Sequence, residues 1–192
     1  DFVLKIYRNF MYLSIIIPVY NEQESIPILL DKLSSDLKRF HIVDFEVILV
    51  DDGSSDNSYD KMYSYAKNDK RIKIIKFRKN CGKSTALSAA FARANGELIL
   101  SMDADLQDDS AEIPKLLEKL NEGYDLVSGW KKERKDNLIK RISSKIFNSI
   151  VSYVMNLKLH DHNCGLKLFK AEVTKEIGNR AVSETMTQLN DS

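Results

Sequence analysis

Short apolar runs alternate with amphipathic stretches along this chain. LSIIIPVY at 13–20 is continuous and β-branched, the pattern of a strand buried on both faces. Ile26, Leu29, Leu30, Leu33, Leu37 and Phe40 follow at helical spacing. A second strand is predicted over 45–50. It runs into the acidic, Ser/Gly-rich DDGSSDNS, and a helix over 58–67 follows. IKIIKF (72–77) reads as a third strand, and 84–95 as an Ala-rich helix stopped at Asn95-Gly96. LILSM (98–102) is a fourth strand. Ser110 is placed to cap a helix through Leu120, with Pro114 early in it, where a missing N–H costs least. YDLVSGW (124–130) makes a fifth strand. Residues 137–157 read as a long helix with Ile139, Ile142, Ile146, Ile150, Val154 and Leu157 on one side, and LKLF (166–169) as a last short strand.

Strands alternating with helices predict an α/β fold with a mainly parallel sheet. Such sheets bind ligands beyond the carboxyl ends of their strands. The polar motifs fall there: Tyr20-Asn21-Glu22, Asp51-Asp52-Gly53-Ser54, Asn80 to Lys83, and Asp103-Ala104-Asp105. All four are expected on one rim.

Composition narrows the picture. At 192 residues the chain is expected to form one domain, with 1–12 as an N-terminal extension, 13–177 as the folded body and 178–192 as a polar tail. It opens on Asp1 and fades into that tail, so a piece of a longer protein is expected. Lys and Arg number 29 against 28 Asp and Glu, which leaves no nucleic-acid footprint. Cys81 and Cys164 lack CxxC partners, which disfavours a disulfide framework and a cysteine zinc site and points to a reducing compartment. No apolar run is long enough to span a bilayer as a helix.

Asp103 and Asp105 carry the sharpest chemistry. Carboxylates two apart at a strand end turn to one hard cation if the chain bends at Ala104, and Gln107 adds a neutral oxygen. The alternative is an acidic loop at a helix N-terminus. Asp51 and Asp52 are either acceptors for a base or ribose, or part of a turn and cap. NCGKST lacks the upstream glycines of a P-loop, yet Lys83 and the helix start behind it suit a phosphate or sugar. His160, His162 and Cys164 alternate on one extended stretch, but no second cluster completes a tetrahedral set. The basic stretch from Lys131 to Lys145 leads into the 137–157 helix. That helix either packs on the core or lies in a membrane interface.

In order and spacing, SIIIPVYNE, VILVDDGSSD, NCGKSTAL, ANGELILSMDADLQDD and DLVSGWKKER resemble family 2 glycosyltransferases of the GT-A fold. The likeness is to the dolichol-phosphate mannosyltransferase branch and its bacterial polyprenyl-phosphate relatives, over about 13–173. The resemblance implies a three-layer α/β sandwich. It implies that Pro18, Tyr20, Asn21 and Glu22 line the nucleotide pocket, with Asp51 and Asp52 near base and ribose and Lys83 and Asp103 on the nucleotide sugar. Asp103, Asp105 and Gln107 would hold Mg²⁺ or Mn²⁺. Lys131 stands where the family has an Arg, and Arg134 is the candidate for the lost guanidinium. DHNCGLKL at 161–168 resembles the branch's D-x-T-G-S-F-R-L, with Lys167 in place of the Arg that faces acceptor phosphate. None of the unassigned carboxylates in the matched motifs is an obvious base, and Asp161 is the candidate if the acceptor is a sugar hydroxyl. Lys keeps the charge of Arg but not its bidentate fork.

The expected activity is inverting transfer of a hexose from UDP- or GDP-hexose to a polyprenyl phosphate. It would occur at the cytoplasmic face of a membrane reached through residues 131–157. A phosphomonoester has a second pKa of about 6, so this acceptor is already an oxyanion at neutral pH and needs no base. Two alternatives stand: transfer to a sugar hydroxyl of a polysaccharide, and a fragment that binds nucleotide sugar without turnover. A sugar-1-phosphate nucleotidyltransferase would carry a Gly-rich loop with a basic finger, and PVYNEQE (18–24) has neither. Oligomeric state is not legible.

Overall fold

The computed structural model describes residues 12–129 and 165–173. The strands are β1 (Leu13–Val19), β2 (Phe45–Asp51), β3 (Ile72–Lys76), β4 (Leu98–Ser101), β5 (Leu126–Ser128) and β6 (Lys167–Lys170). The helices are α1 (Ser25–Arg39), α2 (Ser58–Asn68), α3 (Lys83–Phe91) and α4 (Ile113–Asn121), the last entered through a 3₁₀ turn at Ser110–Glu112.

The sheet order is β3-β2-β1-β4-β6-β5. β2, β1 and β4 pair in parallel, as do β3 and β2. β6 is antiparallel to both β4 and β5. The chain builds outward from β1 through β2 to β3, then returns to lay β4 on the other side of β1. That reversal makes the β1/β4 carboxyl ends a topological switch point, the place where open α/β sheets bind ligands.

Strand alternation sorts the core onto two faces. Ile15, Ile17, Val47, Leu49 and Leu100 pack under α1, α2 and α4, which contribute Leu33, Met62 and Leu117 among others. Ile16, Ile48, Val50 and Ile99 pack under α3 through Ala86, Leu87, Ala90 and Phe91. Helices therefore cover both faces of a mainly parallel sheet, as expected for a three-layer sandwich. Phe91 meets Phe169 of β6 edge-on, ring centroids 6.1 Å apart. Each fully buried Ile or Leu contributes about 1.5–3 kcal/mol.

The end of the sheet away from the switch point is tied by a buried carboxylate. Glu46 accepts from the Ser14 hydroxyl at 2.6 Å and from the Asn95 amide at 2.7 Å, and Lys73 pairs with its other oxygen. The Gly96 amide donates to the Ser14 hydroxyl at 2.8 Å. A Cβ at Gly96 would fall 2.5 Å from the Ser14 nitrogen, so this turn admits only glycine.

Three sequence expectations shift. The helix expected over 84–95 spans 83–91, because Asn95 and Gly96 are held on Glu46 and Ser14 rather than continuing a helix. The helix cap is Asp109, whose carboxylate accepts from the Ala111 amide, while the Ser110 hydroxyl donates to Asp36 of α1. The strand expected over 124–130 is confined to 126–128, with only β6 beside it among the described residues. The expected 137–157 helix lies outside the described residues.

Candidate active site

The loops after β1 and β2 are sewn together. Asn21 sits at φ +56, and its side-chain oxygen accepts from the Ser55 amide at 2.9 Å. Its own amide donates to the Ser54 hydroxyl at 3.0 Å. The Glu22 amide donates to the Ser58 hydroxyl at 2.8 Å, while the Glu22 carboxylate accepts from Ser25. Asp56 accepts from the Gln23 and Ser58 amides. Burial would raise the Asp56 carboxyl, but these donors outweigh it and hold it below its ordinary value. Pro18 is half-buried at the end of β1, and Tyr20 stands 49% exposed on the rim.

Asp51 and Asp52 are both buried but differ in use. Asp52 spends both oxygens on the third loop, accepting from Cys81 at 2.7 Å and Gly82 at 2.9 Å. It therefore fixes the approach to α3 and, with it, Lys83. Asp51 accepts from the Ser54 amide at 2.9 Å through one oxygen. Its other oxygen, Oδ2, is buried with no hydrogen-bond partner. A buried carboxylate oxygen without a donor is costly, and a ligand N–H or hydroxyl would relieve it. Gly53, at φ +71, lets these loops touch: a Cβ there would lie 2.4 Å from the Lys79 carbonyl carbon.

The loop after β4 curls back on itself. The Asp103 amide donates to Asp108 Oδ2 at 2.9 Å, and the Gln107 amide donates to Asp105 Oδ1 at 3.2 Å. Leu106 occupies the left-handed region at φ +61, rare for a bulky residue and a place where strain collects at working sites. The far side of the loop is anchored to α1: Lys32 pairs with Asp36 and Asp109, each at 2.8 Å. The Lys83 ammonium donates to Asp103 Oδ1, joining the third and fourth loops. Thus the loops carrying Asp51, Asp52, Lys83 and Asp103 are joined at the switch point, as the strand-end motifs predicted.

Among the described residues no group of three or more His, Cys, Asp or Glu is arranged as a metal cage. The donors still fit a hard divalent cation that takes its other ligands from substrate. Asp103 and Asp105 offer carboxylate oxygens, and an ammonium already occupies a cation position on Asp103.

Lys167 opens β6 level with Ser101, two residues before Asp103, and is 6% exposed. By strand alternation it falls on the same face as Phe169 and Ile99, the α3 side of the sheet. Lys131, Arg134 and Asp161 lie outside the described residues, as does the His160–Cys164 stretch. Two residues the motifs did not single out lie against Asp103. Asp108 closes the fourth loop, and Gly165 packs against it: a Cβ there would lie 2.3 Å from Asp108 Oδ2 and 2.6 Å from Asp103 Oδ2.

Glycosyl transferase family 2 matches residues 14–178. The chain belongs to this family. It is 37% identical over 163 residues to the undecaprenyl-phosphate 4-deoxy-4-formamido-L-arabinose transferase of Yersinia pestis (strain Pestoides F), covering 84% of this chain and 50% of that protein. The Proteus mirabilis (strain HI4320) transferase of the same name is 38% identical over 162 residues, covering 83% and 49%. The chain thus spans about half the length of the curated relatives it matches. Among solved structures, mannosyltransferase PcManGT from Pyrobaculum calidifontis, in complex with GDP-Man and Mn²⁺, superposes with a TM-score of 0.67 at 20% identity, over 92% of this chain and 53% of that one. Glucosyl-3-phosphoglycerate synthase from Mycobacterium tuberculosis, with Mn²⁺, UDP-Glc and phosphoglyceric acid, gives 0.62 at 17% identity, over 88% and 61%. The family 2 chain has the GT-A fold. Among the described residues no helix is long and apolar enough to cross a membrane.

Proposed function

We propose that this chain is the catalytic portion of a glycosyltransferase that moves a hexose from a nucleoside-diphosphate sugar, UDP- or GDP-linked, to a polyprenyl phosphate. One observation carries the reading: in a family 2 chain, Asp103 and the Lys83 ammonium join the Asp51/Asp52 loop system at the β1/β4 switch point. The undecaprenyl-phosphate relatives support the acceptor class. The complexes of the solved neighbours support a nucleotide sugar and Mn²⁺.

Asp51 Oδ2 takes a donor N–H or hydroxyl from the nucleoside, in a pocket bounded by Pro18, Tyr20, Asn21 and Glu22. Asp52 holds the Cys81–Gly82 amides so that Lys83 reaches the diphosphate side. Mg²⁺ or Mn²⁺, held by Asp103 and Asp105 with Gln107, would offset charge developing on the leaving diphosphate. Lys83 exchanges its carboxylate partner for that diphosphate when donor binds. The acceptor phosphate needs orientation, not deprotonation. Lys131, Arg134 and Lys167 supply cations for it, and inversion follows from one in-line displacement. Residues 131–157 bring the site to the cytoplasmic membrane surface, with 1–12 and 178–192 outside the catalytic body.

The test is a transfer assay of the full chain with labelled UDP- and GDP-hexoses and undecaprenyl phosphate. The proposal expects an acid-labile glycosyl phospholipid that forms only with Mg²⁺ or Mn²⁺. Transfer to a sugar hydroxyl but not to lipid phosphate would replace the acceptor. Donor binding without product on either would leave a binding domain.

A further inference from the structure

Gly165 lies just before β6, against the loop that carries Asp103 and Asp105. Its backbone is not in the left-handed region, unlike Gly53, Gly82 and Gly123. Conformation therefore does not require glycine at 165; space does. A Cβ there would stand 2.3 Å from Asp108 Oδ2 and 2.6 Å from both Cγ and Oδ2 of Asp103. Asp108 Oδ2 is the same atom that accepts the Asp103 amide at 2.9 Å. Asp108 is buried at 6% exposure, whereas the Asp103 side chain keeps 27%. One carboxylate thus holds the backbone of the other, and the bare face of Gly165 leaves room for both.

The geometry points to Asp108 and Gly165 as positioning residues for the metal-facing carboxylate of Asp103, an inference that rests on the metal reading above. Asp108 fixes where the β4 chain ends and the loop begins. Gly165 sets how far the two carboxylates lie from β6. The segment around Gly165, which the sequence assigns to the acceptor side, therefore also sets the cation site on the donor side. The three nearest atoms a methyl group would meet belong to the Asp103 and Asp108 side chains, not to backbone, so relief comes from displacing those carboxylates. The cost of Gly165→Ala thus falls on carboxylate placement more than on the fold. Partners that orient first ligands change metal affinity by about 10–100-fold.

The experiment uses the full chain with Gly165→Ala, Asp108→Ala and Asp108→Asn. Thermal melts are taken with UDP and with GDP over a Mn²⁺ titration, and without metal. We expect Gly165→Ala to raise the half-saturating Mn²⁺ concentration by about 10–100-fold, with the metal-free melting temperature little changed. Asp108→Asn keeps a side-chain oxygen for the Asp103 amide and is expected to need less Mn²⁺ than Asp108→Ala. A wild-type Mn²⁺ requirement in Gly165→Ala overturns the inference. So does an Asp108→Asn protein as impaired as Asp108→Ala, since Asp108 would then act through its charge. If Gly165→Ala has no cooperative melt, the Asp108 pair decides alone. A wild-type protein stabilised equally with and without Mn²⁺ overturns the metal reading and this inference with it; Mn²⁺-dependent wild type beside unchanged variants overturns only the inference.

Discussion

The Ser14 hydroxyl donates to the Glu46 carboxylate at 2.6 Å across the first two strands, at the end of the sheet opposite the Asp103 loop. The same carboxylate accepts from the Asn95 amide, and the Gly96 amide donates to the Ser14 hydroxyl oxygen. β1, β2, β3 and the turn into β4 are fixed to one buried anion. The rim that carries the site is the other end of that fixed frame.

Removing the anion leaves buried donors without an acceptor. Glu46→Ala is expected to cost about 1–3 kcal/mol in urea unfolding, since the Lys73 ammonium is exposed and stays solvated while the buried donors are not, and Glu46→Gln less. A loss under about 1 kcal/mol for Glu46→Ala would contradict the role given to this network.

The pH dependence has a defined sign. Burial alone would raise the Glu46 carboxyl, but Lys73, Ser14 and the Asn95 amide together hold it below its usual value of 4.5. Its folded pKa is depressed, so its contribution is full above the unfolded value and is lost as pH falls through the folded one. Wild-type stability should decline below about pH 4.5, and Glu46→Gln should decline less steeply. Parallel acid profiles would show that other carboxylates dominate.

Gly53→Ala tests the contact between the second and third loops. The clash is with backbone at Lys79 and Asn80, and the dihedral is left-handed, so relief requires the loop to move. A loss of about 1–3 kcal/mol is expected, with weaker nucleotide binding because Asp52 and Lys83 shift together. Wild-type melting and binding would refute the packing described.

Asp51→Asn separates stability from function. Asn keeps an oxygen for the Ser54 amide and removes a buried charge whose second oxygen has no partner. The ligand-free protein should be as stable as wild type or more so, by up to about 1 kcal/mol. Nucleoside diphosphate affinity, read by calorimetry, should fall about tenfold or more. Unchanged affinity would remove Asp51 from the donor pocket.

Much of this was legible in the sequence, for physical reasons. Buried parallel strands need continuous β-branched apolar runs, and LSIIIPV and FEVILVD supply them. Acidic motifs placed at strand ends by that pattern share a rim once the strands are parallel. What stayed hidden depends on distant partners. Ser110 reads as a cap, but Asp36 on α1 takes its hydroxyl and leaves Asp109 to cap. Helix α3 stops at Phe91 because Asn95 and Gly96 are claimed from across the sheet. Asp108 looks like one more acid in DLQDD, and Gly165 like an ordinary loop glycine. Only the antiparallel placement of β6 beside β4 brings them together.

In the proposed function, Asp103 and Asp105 clamp the donor through metal. The most direct test is a thermal-shift panel of UDP, GDP, CDP, dTDP and ATP, each with and without Mn²⁺, on wild type and Asp105→Asn. The account predicts that one nucleoside diphosphate stabilises wild type strongly only with Mn²⁺, and that Asp105→Asn loses the metal-dependent part. At a ligand concentration 100 times Kd the shift corresponds to about 2.7 kcal/mol. Cooperative melting with no nucleotide effect, or an Asp105→Asn protein that responds to Mn²⁺ as wild type does, would contradict it.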